Sequence, residues 1–537
     1  YLMIDEYQDT NTIQEKILLK IAAPANRICV VGDDDQSLYR FRGATVKNIL
    51  EFQKNFLDGA CKKIELVTNY RSHPGIIDFY NRWMNSPHPA GNWDGTDGEQ
   101  FRYRKIIEPK GGSFPEYASV VKVAGLHGQD SWNEEVYEFI TTMKSRGILT
   151  DYNQCAFLFK SVKNGKVVNL ANFLESKGIP VFSPRSAMFF DREEIMLMIG
   201  AYVYMFPNLV ENYLKWNKDA ELDVWDYYEK CKQLLFEKIR ADGETHKTLK
   251  AWCVQKAKLF ADMKKSSDET FSGMFYKLLE FPMFARLVGI DLSSNVQDLR
   301  PVYNLALFSQ LITKYEYLYN VTLMKPDSIK MDVRTLFNNF FRFLIDGGIG
   351  EYEDFDTFAP SGCVSFMTIH QSKGLEFPIT FTGSLEAVPR NQIEQIDEDI
   401  ARYYHKTKAY EPNERIKYFD FWRLYYTAFS RAQNLLVLTG AENNDGHGKL
   451  PSAYFREIYQ TVPDWKNGNL DKGTFVLEKI KPPAIKHEYS FTSSILMYEN
   501  CPMQYRFFRE LEFTPVRTNA VLFGTLVHQT IEDVHKR

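Results

Sequence analysis

The sequence predicts an α/β protein with parallel sheets, interrupted by a helical insertion. Three observations predict it. Short apolar runs ending in polar, charge-rich turns recur through the first 160 residues. The pattern then changes to helical spacing between about 191 and 360, and the strand-like runs resume near Cys363. Short continuous apolar runs are the mark of strands buried on both faces, which parallel sheets with helical crossovers require.

The expected strands are Leu2 to Ile4, Ile28 to Val31, Ile64 to Val67, Ala156 to Phe159, Val364 to Met367, Ile379 to Phe381 and Leu435 to Leu438. In open α/β sheets ligands collect at the carboxyl ends of strands, where loops gather and the next helix presents its positive N-terminus. The charged clusters of this chain follow such runs. In the central region Val302, Leu305, Phe308, Ile312 and Tyr315 recur at helical spacing, as do Val333, Leu336, Phe340 and Leu344. Asp332 is the expected cap of the second helix, and Gly347 with Gly348 its stop. The apolar stretch from Ile195 to Phe206 is too short to cross a bilayer of about 30 Å and reads as a buried helix.

At 537 residues and 44% apolar content, the chain exceeds what one core supports and divides into several domains. Lys and Arg number 65 against 69 Asp and Glu, so any surface for a polyanion must be local. Cys29, Cys61, Cys155, Cys231, Cys253, Cys363 and Cys501 are scattered, with no metal-ligand spacing, which suits a reducing, cytoplasmic setting. No signal peptide or membrane span is expected. Tyr1 enters directly into a strand pattern, so the sequence reads as cut off at its beginning.

The chemistry lies in five strings. Leu2-Met3-Ile4-Asp5-Glu6 delivers two adjacent carboxylates at a strand end, and it continues as Tyr7-Gln8-Asp9-Thr10-Asn11. A nucleotide hydrolase needs one such carboxylate for Mg²⁺ and one to orient and deprotonate water. Asp5 reads as the metal residue and Glu6 as the base. Val30-Val31-Gly32-Asp33-Asp34-Asp35-Gln36-Ser37-Leu38-Tyr39-Arg40-Phe41-Arg42 follows. These two strings resemble motifs II and III of the UvrD/Rep (superfamily 1) helicases. The resemblance implies that Gln36 senses the terminal phosphate and that Tyr39, Phe41 and Arg42 couple the ATP cleft to single-stranded DNA. Aromatic rings stack on any base for about 1–3 kcal/mol without reading sequence. The family usually carries Trp where this chain has Phe41.

Leu66 to Ser72 resembles motif IV, so Tyr70 would stack on adenine and Arg71 grip phosphate. Val364 to Pro378, with His370-Gln371-Ser372-Lys373-Gly374-Leu375-Glu376, resembles motif V. By that likeness Thr368 and His370 face DNA, whereas Lys373, Gly374 and Glu376 lie near the nucleotide, Glu376 at the ribose. Leu424 to Ala432 resembles motif VI, whose arginine, here Arg431, enters the cleft as a finger on the transferred phosphoryl, an effect of about 10³–10⁵ in rate. Ser430 stands where Thr is usual, and Asp420 with Phe421 where the family has two acids.

The resemblance therefore implies two RecA-like motor domains, the first incomplete (1–67) and the second split into 68–190 and 361–470 around a helical insertion (191–360). A linker (471–488) and the opening of a RecB-type nuclease domain (489–537) follow. The last rests on Tyr489 to Tyr505 and on Phe523-Gly524-Thr525-Leu526-Val527-His528. By that likeness His528 helps hold a nuclease metal, and Cys501 ligates an iron–sulfur cluster if further cysteines follow; Cys501 reads equally well as a small buried residue. The implied ligands are ATP, Mg²⁺, single-stranded and duplex DNA. The implied activity is 3′–5′ helicase translocation, with a helicase–nuclease or a non-catalytic helicase-shaped scaffold as alternatives. The GxxxxGK[ST] phosphate loop such a motor requires occurs nowhere in the sequence, so these 537 residues by themselves are expected to hydrolyse no ATP.

Overall fold

The structure is a computed structural model. It describes residues 1–23, 27–85, 92–95, 100–112, 114–183, 189–207, 222–289, 300–347, 361–390, 410–442, 451–471, 473, 475–477, 489–516, 527, 530–531 and 534–535. The chain forms two compact units, Tyr1–Val181 with Cys363–Lys481, and Phe182–Gly362 with Pro482–Arg537.

The first unit holds the sheets. β1 (Leu2–Ile4) pairs in parallel with β2 (Ile28–Val30), Leu2 opposite Ile28. The helix Thr12–Ala22 between them starts at a complete capping box, because Asn11 accepts from the amides of Ile13 and Gln14 while Gln14 reaches back to the Asn11 amide. The short strands β3 (Thr68–Asn69) and β4 (Glu108–Pro109) form a second parallel pair. The main sheet is built from β5 (Val120–Gly125), β6 (Cys155–Phe159), β7 (Val181–Phe182), β8 (Val364–Thr368), β9 (Phe377–Thr382) and β10 (Ala432–Ala441), in the order β5-β10-β9-β6-β8-β7. Every recorded pairing among them is parallel. β6, β8 and β9 are buried at every position, as their unbroken apolar runs require.

Two expectations change. Ile64 to Val67 lies in no strand, and Ile64 and Leu66 are exposed; the paired strand is Thr68–Asn69, with the Val67 carbonyl accepting from the Glu108 amide at 2.8 Å. β5 was not expected, because its Val-Val-Lys-Val-Ala-Gly alternates between buried and half-buried positions instead of forming an apolar block.

The second unit is helical. Its core gathers the helix Glu193–Met205, buried along nearly its whole length, with helices Leu222–Ala241, Phe271–Leu279 and Arg300–Leu318. Its buried carboxylates have partners: Glu194 accepts from Asn304 at 2.6 Å, and Glu316 from the backbone and hydroxyl of Ser272, both at 2.8 Å. Asp332 does not cap a helix. The helix starts a turn earlier at Ile329, the Ser328 hydroxyl donates to Asp332 at 2.7 Å, and residues Thr335–Phe341 widen into a π-helix. Of the expected stop, Gly347 ends the helix Arg342–Gly347 and Gly348 lies outside the described residues. Leu511 and Phe513 join this core, and the Tyr276 hydroxyl donates to the Thr514 carbonyl at 2.6 Å. Among the described residues no helix is long and apolar enough to cross a membrane.

Close helix approach in this unit depends on Gly200, where an added Cβ would lie 2.4 Å from the Cys231 carbonyl oxygen. Gly200→Ala gains about 1 kcal/mol of helix propensity. The clash is with backbone, which no rotamer change relieves, and overpacking of this kind costs about 1–3 kcal/mol. Denaturant unfolding is therefore expected to show a lowered midpoint; a raised one contradicts this packing.

A candidate nucleotide and nucleic-acid cleft

The first unit gathers most of the expected site residues into two groups. One surrounds the turn after β1. Glu6 sits at φ 50°, a left-handed conformation uncommon for a non-glycine residue, which turns its carboxylate out of the strand direction. That carboxylate is held by Gln8, whose Nε2 donates to Glu6 Oε2 at 2.5 Å while its Oε1 accepts from the Asp33 amide at 3.1 Å. Only one orientation of the amide satisfies both partners, so the fully buried Gln8 fastens the turn after β1 to the turn after β2. Gly32 makes room for it: a Cβ there would lie 2.3 Å from Gln8 Oε1.

Gln36 is the hub. Its Nε2 donates to Asp33 Oδ2 at 2.8 Å, and its Oε1 accepts from Arg431 Nη2 at 3.1 Å. Its carbonyl accepts from Lys373 Nζ at 2.8 Å, and Lys373 also pairs with Asp9 and lies 3.5 Å from Glu6. Arg431 is buried and further held by the carbonyls of Thr427 (3.0 Å) and Leu375 (3.1 Å) and by the Ser430 hydroxyl (2.9 Å). Burial, and then the neighbouring Arg71, pull its pKa down to about 10, which leaves it charged at neutral pH. Arg71 pairs with Glu376 at 2.5 Å. Beside them Tyr70 is exposed, with the Lys110 ammonium 5.7 Å from its ring centre.

The second group is aromatic. The rings of Tyr39, Phe41 and His370 lie 5.7 to 6.4 Å apart, and the Arg42 guanidinium stands 4.9 Å from the centre of Tyr39 and 5.8 Å from that of Phe41. Phe41 is 49% exposed. The His370 pKa falls to about 4, because burial disfavours its cation and Lys160, Lys373 and Arg42 add positive charge. Lys160 follows β6 and belongs to this group, although its sequence gave no signal.

The loop 369–376 ties the groups together. β8 and β9 both run parallel to β6, so the eight residues between Thr368 and Phe377 must travel from the carboxyl edge of the sheet to its amino edge. Five or six strand residues make that about 16–20 Å. The loop therefore leaves His370 at one edge and delivers Glu376 beside Arg431 at the other, where Phe377 N donates to the Arg431 carbonyl at 2.9 Å. The expectation that ligand chemistry sits at carboxyl ends thus holds for β1, β2 and β8 but not for Glu376 and Arg431, which precede β9 and β10. Gly374 supplies the left-handed residue (φ 80°) this path needs.

Other expected residues stay outside these groups. Asp5 is exposed, its Oδ1 accepting from the Glu6 amide at 2.9 Å. Thr368 is buried, and its hydroxyl accepts from the Gln371 amide at 3.3 Å inside the turn. Cys501 accepts from the Gln504 amide at a helix start, and His528 lies outside the described residues. Among the described residues no group of three or more His, Cys, Asp or Glu could hold a metal ion.

The sequence reading missed the partners of the Asp33-Asp34-Asp35 run. Lys105 Nζ lies 2.5 Å from Asp33 and Asp34 and 3.3 Å from Asp35, and Arg102 clasps Asp35 at 2.6 Å. Burial alone would raise Asp33, but Lys105 overrides it and holds this carboxyl at about 2. The one signal was compositional: three neighbouring acids need cations, and Arg102 to Lys105 is a basic stretch.

Comparison with known families agrees with this geometry. Residues 1–57 match the UvrD/REP helicase N-terminal domain, and residues 64–213 and 206–443 match the UvrD-like helicase C-terminal domain. The chain is 25% identical over 496 residues to an ATP-dependent DNA helicase PcrA of Staphylococcus epidermidis, covering 87% of the chain and 59% of that relative. It is 24% identical over 500 residues to the PcrA of Staphylococcus aureus strain Mu50, covering 90% and 60%. The chain thus spans about three fifths of the length of these curated relatives.

The depressed His370 has a consequence for pH. With a folded pKa of about 4 against an ordinary 6.5, the unfolded chain binds the proton more readily between those values. This contribution to stability is complete above pH 6.5 and is lost as the pH falls toward 4. Histidine-resolved NMR is expected to find His370 neutral from pH 8 to about 5; a midpoint between 6 and 7 would show that the ring is solvated instead.

Proposed function

The chain belongs to the UvrD-like helicase family, and on that premise we propose that it is the greater part of the motor of an ATP-dependent DNA helicase. In this reading the motor steps 3′ to 5′ along single-stranded DNA and unwinds duplex in DNA repair or recombination. The observation that carries the proposal is the hydrogen bond of Arg431, from the end of the helix Asn413–Phe429, to Gln36 in the turn after β2. It brings an arginine before β10 and the amide of Gln36 after β2 to one crevice, near the carboxylate of Glu6.

The roles follow. Glu6, aimed by Gln8, orients and deprotonates the attacking water. Gln36 reports the terminal phosphate, and Arg431 neutralises charge developing on the transferred phosphoryl. Arg71 and Lys373 add positive charge on the phosphates, Tyr70 stacks on the base, Glu376 accepts from the ribose, and Gly374 lets the backbone turn beside them. Asp5, an exposed single carboxylate, would hold a Mg²⁺ ion that keeps most of its shell as water, and such an ion would supply charge neutralisation for the nucleotide. Tyr39, Phe41, Arg42 and His370 offer stacking faces and charge to a DNA strand, with Thr368 shaping the turn beneath them. Closure of the crevice on ATP and reopening after hydrolysis would move the strand. The phosphate-cradling loop of the family is not among these 537 residues, so the protein from its complete reading frame is the material to assay.

A helicase–nuclease reading adds a metal-dependent nuclease starting near Tyr489, supported by the string Tyr489 to Tyr505. A non-catalytic scaffold is disfavoured by the retention of Asp5, Glu6, Gln36, Arg71 and Arg431, which a dead site does not need.

Glu6→Gln and Arg431→Ala are each expected to keep the affinity for an oligo-dT strand within about threefold. Turnover should fall about 10³-fold or more, the scale of a lost finger. Unwinding should require a 3′ single-stranded tail. Wild-type turnover in either variant removes that residue from its role, and unwinding that requires a 5′ tail reverses the assigned direction.

A further inference from the structure

Glu411 lies outside every motif string, yet it is buried and joins two arginines. Its Oε1 accepts from Arg423 Nη1 at 2.8 Å, and its Oε2 pairs with Arg40. Arg40 Nε also lies 3.1 Å from both oxygens of Asp420. Two guanidinium groups and two carboxylates therefore balance one another.

The two halves of this network differ. Arg423 and Glu411 are sealed from solvent, with Arg423 Nη2 donating to the Phe101 carbonyl at 2.9 Å. Arg40 and Asp420 keep 28% and 16% of their side chains exposed, so this half is the more accessible to water. Buried ion pairs are poor sources of stability compared with apolar packing, so a contact that only held the loop down would be better served by hydrocarbon. The network also has a direction. Arg40 stands between Tyr39 and Phe41 in the aromatic group. Asp420, Arg423 and Thr427 follow at spacings of three and four along the helix Asn413–Phe429, on one face, and the Thr427 carbonyl holds Arg431 Nε.

We infer that Glu411, with Asp420, forms a preformed receptor for Arg40 through which engagement of the Tyr39–Arg42 loop by a DNA strand is passed to the helix that positions Arg431. Arg40, Glu411 and Asp420 are positioning residues that touch neither ligand. The inference rests on the helicase reading and names how its two ligand groups communicate.

The test uses the protein from its complete reading frame and measures ATP turnover with and without oligo-dT, the KM for ATP and the affinity for oligo-dT. Glu411→Gln is expected to lower DNA stimulation of kcat at least tenfold while DNA-free turnover, KM and oligo-dT affinity stay within twofold. The double variant with Arg40→Gln should be no worse than either single one. Stimulation within twofold of the unaltered protein, an equal fall of basal and stimulated rates, or additive losses in the double variant would each overturn the inference. Should Glu411→Gln not fold, Asp420→Asn, at the more exposed carboxylate, is judged by the same criteria; if neither folds, the network is structural and the inference fails. An unaltered protein without DNA-dependent turnover overturns the helicase reading itself and this inference with it.

Discussion

The bond from Arg431 to Gln36 is set by a chain of charge that starts at Lys105. That ammonium keeps the half-buried Asp33 ionised, and ionised Asp33 accepts from the Gln36 amide nitrogen. With the nitrogen so engaged, the Gln36 oxygen must face the other way, toward Arg431. A glutamine amide could otherwise turn either end toward a neighbour. Here the flip is fixed from behind, and the arginine keeps its proton at neutral pH although burial pulls its pKa down to about 10.

The same economy appears in the loop between β8 and β9. A conventional crossover between parallel strands uses a helix and a dozen or more residues. Eight residues without a regular helix do it here, so the loop lies against the sheet and its two ends answer to different groups, His370 to the aromatic rings and Glu376 to Arg71 and Arg431. Lys373, midway along, ties its centre to Asp9 and to Gln36.

What could be read in the sequence follows the range of the forces involved. β6, β8, β9 and β10 were legible because burial on both faces writes a local apolar run. Ile64 to Val67 carries similar residues but meets β4 only through the Val67 carbonyl, so composition misled. β5 wrote only an alternating pattern, and the π-helix at Thr335–Phe341 leaves no mark in a 3.6-residue period. Gln36, Arg71, Lys373, Glu376 and Arg431 were named from motif strings and do come together in space. Gln8, Lys105 and Glu411 were not, since their meaning lies in partners up to 371 positions away. Asp5 and Thr368 were named from the same strings, yet the one is exposed and the other buried within its own turn.

The claim at the centre of this account is that Arg431 and the carboxylate side of the crevice act on one transferring phosphoryl group. Binding of ADP with aluminium fluoride, a mimic of that group in flight, compared with binding of ADP alone, tests it most directly in the protein from its complete reading frame. An advantage of about 10²-fold or more for the mimic, lost in Arg431→Ala while ADP affinity holds, is what the geometry predicts. An advantage that survives the loss of Arg431 would mean that its guanidinium supports the crevice without ever meeting the phosphate.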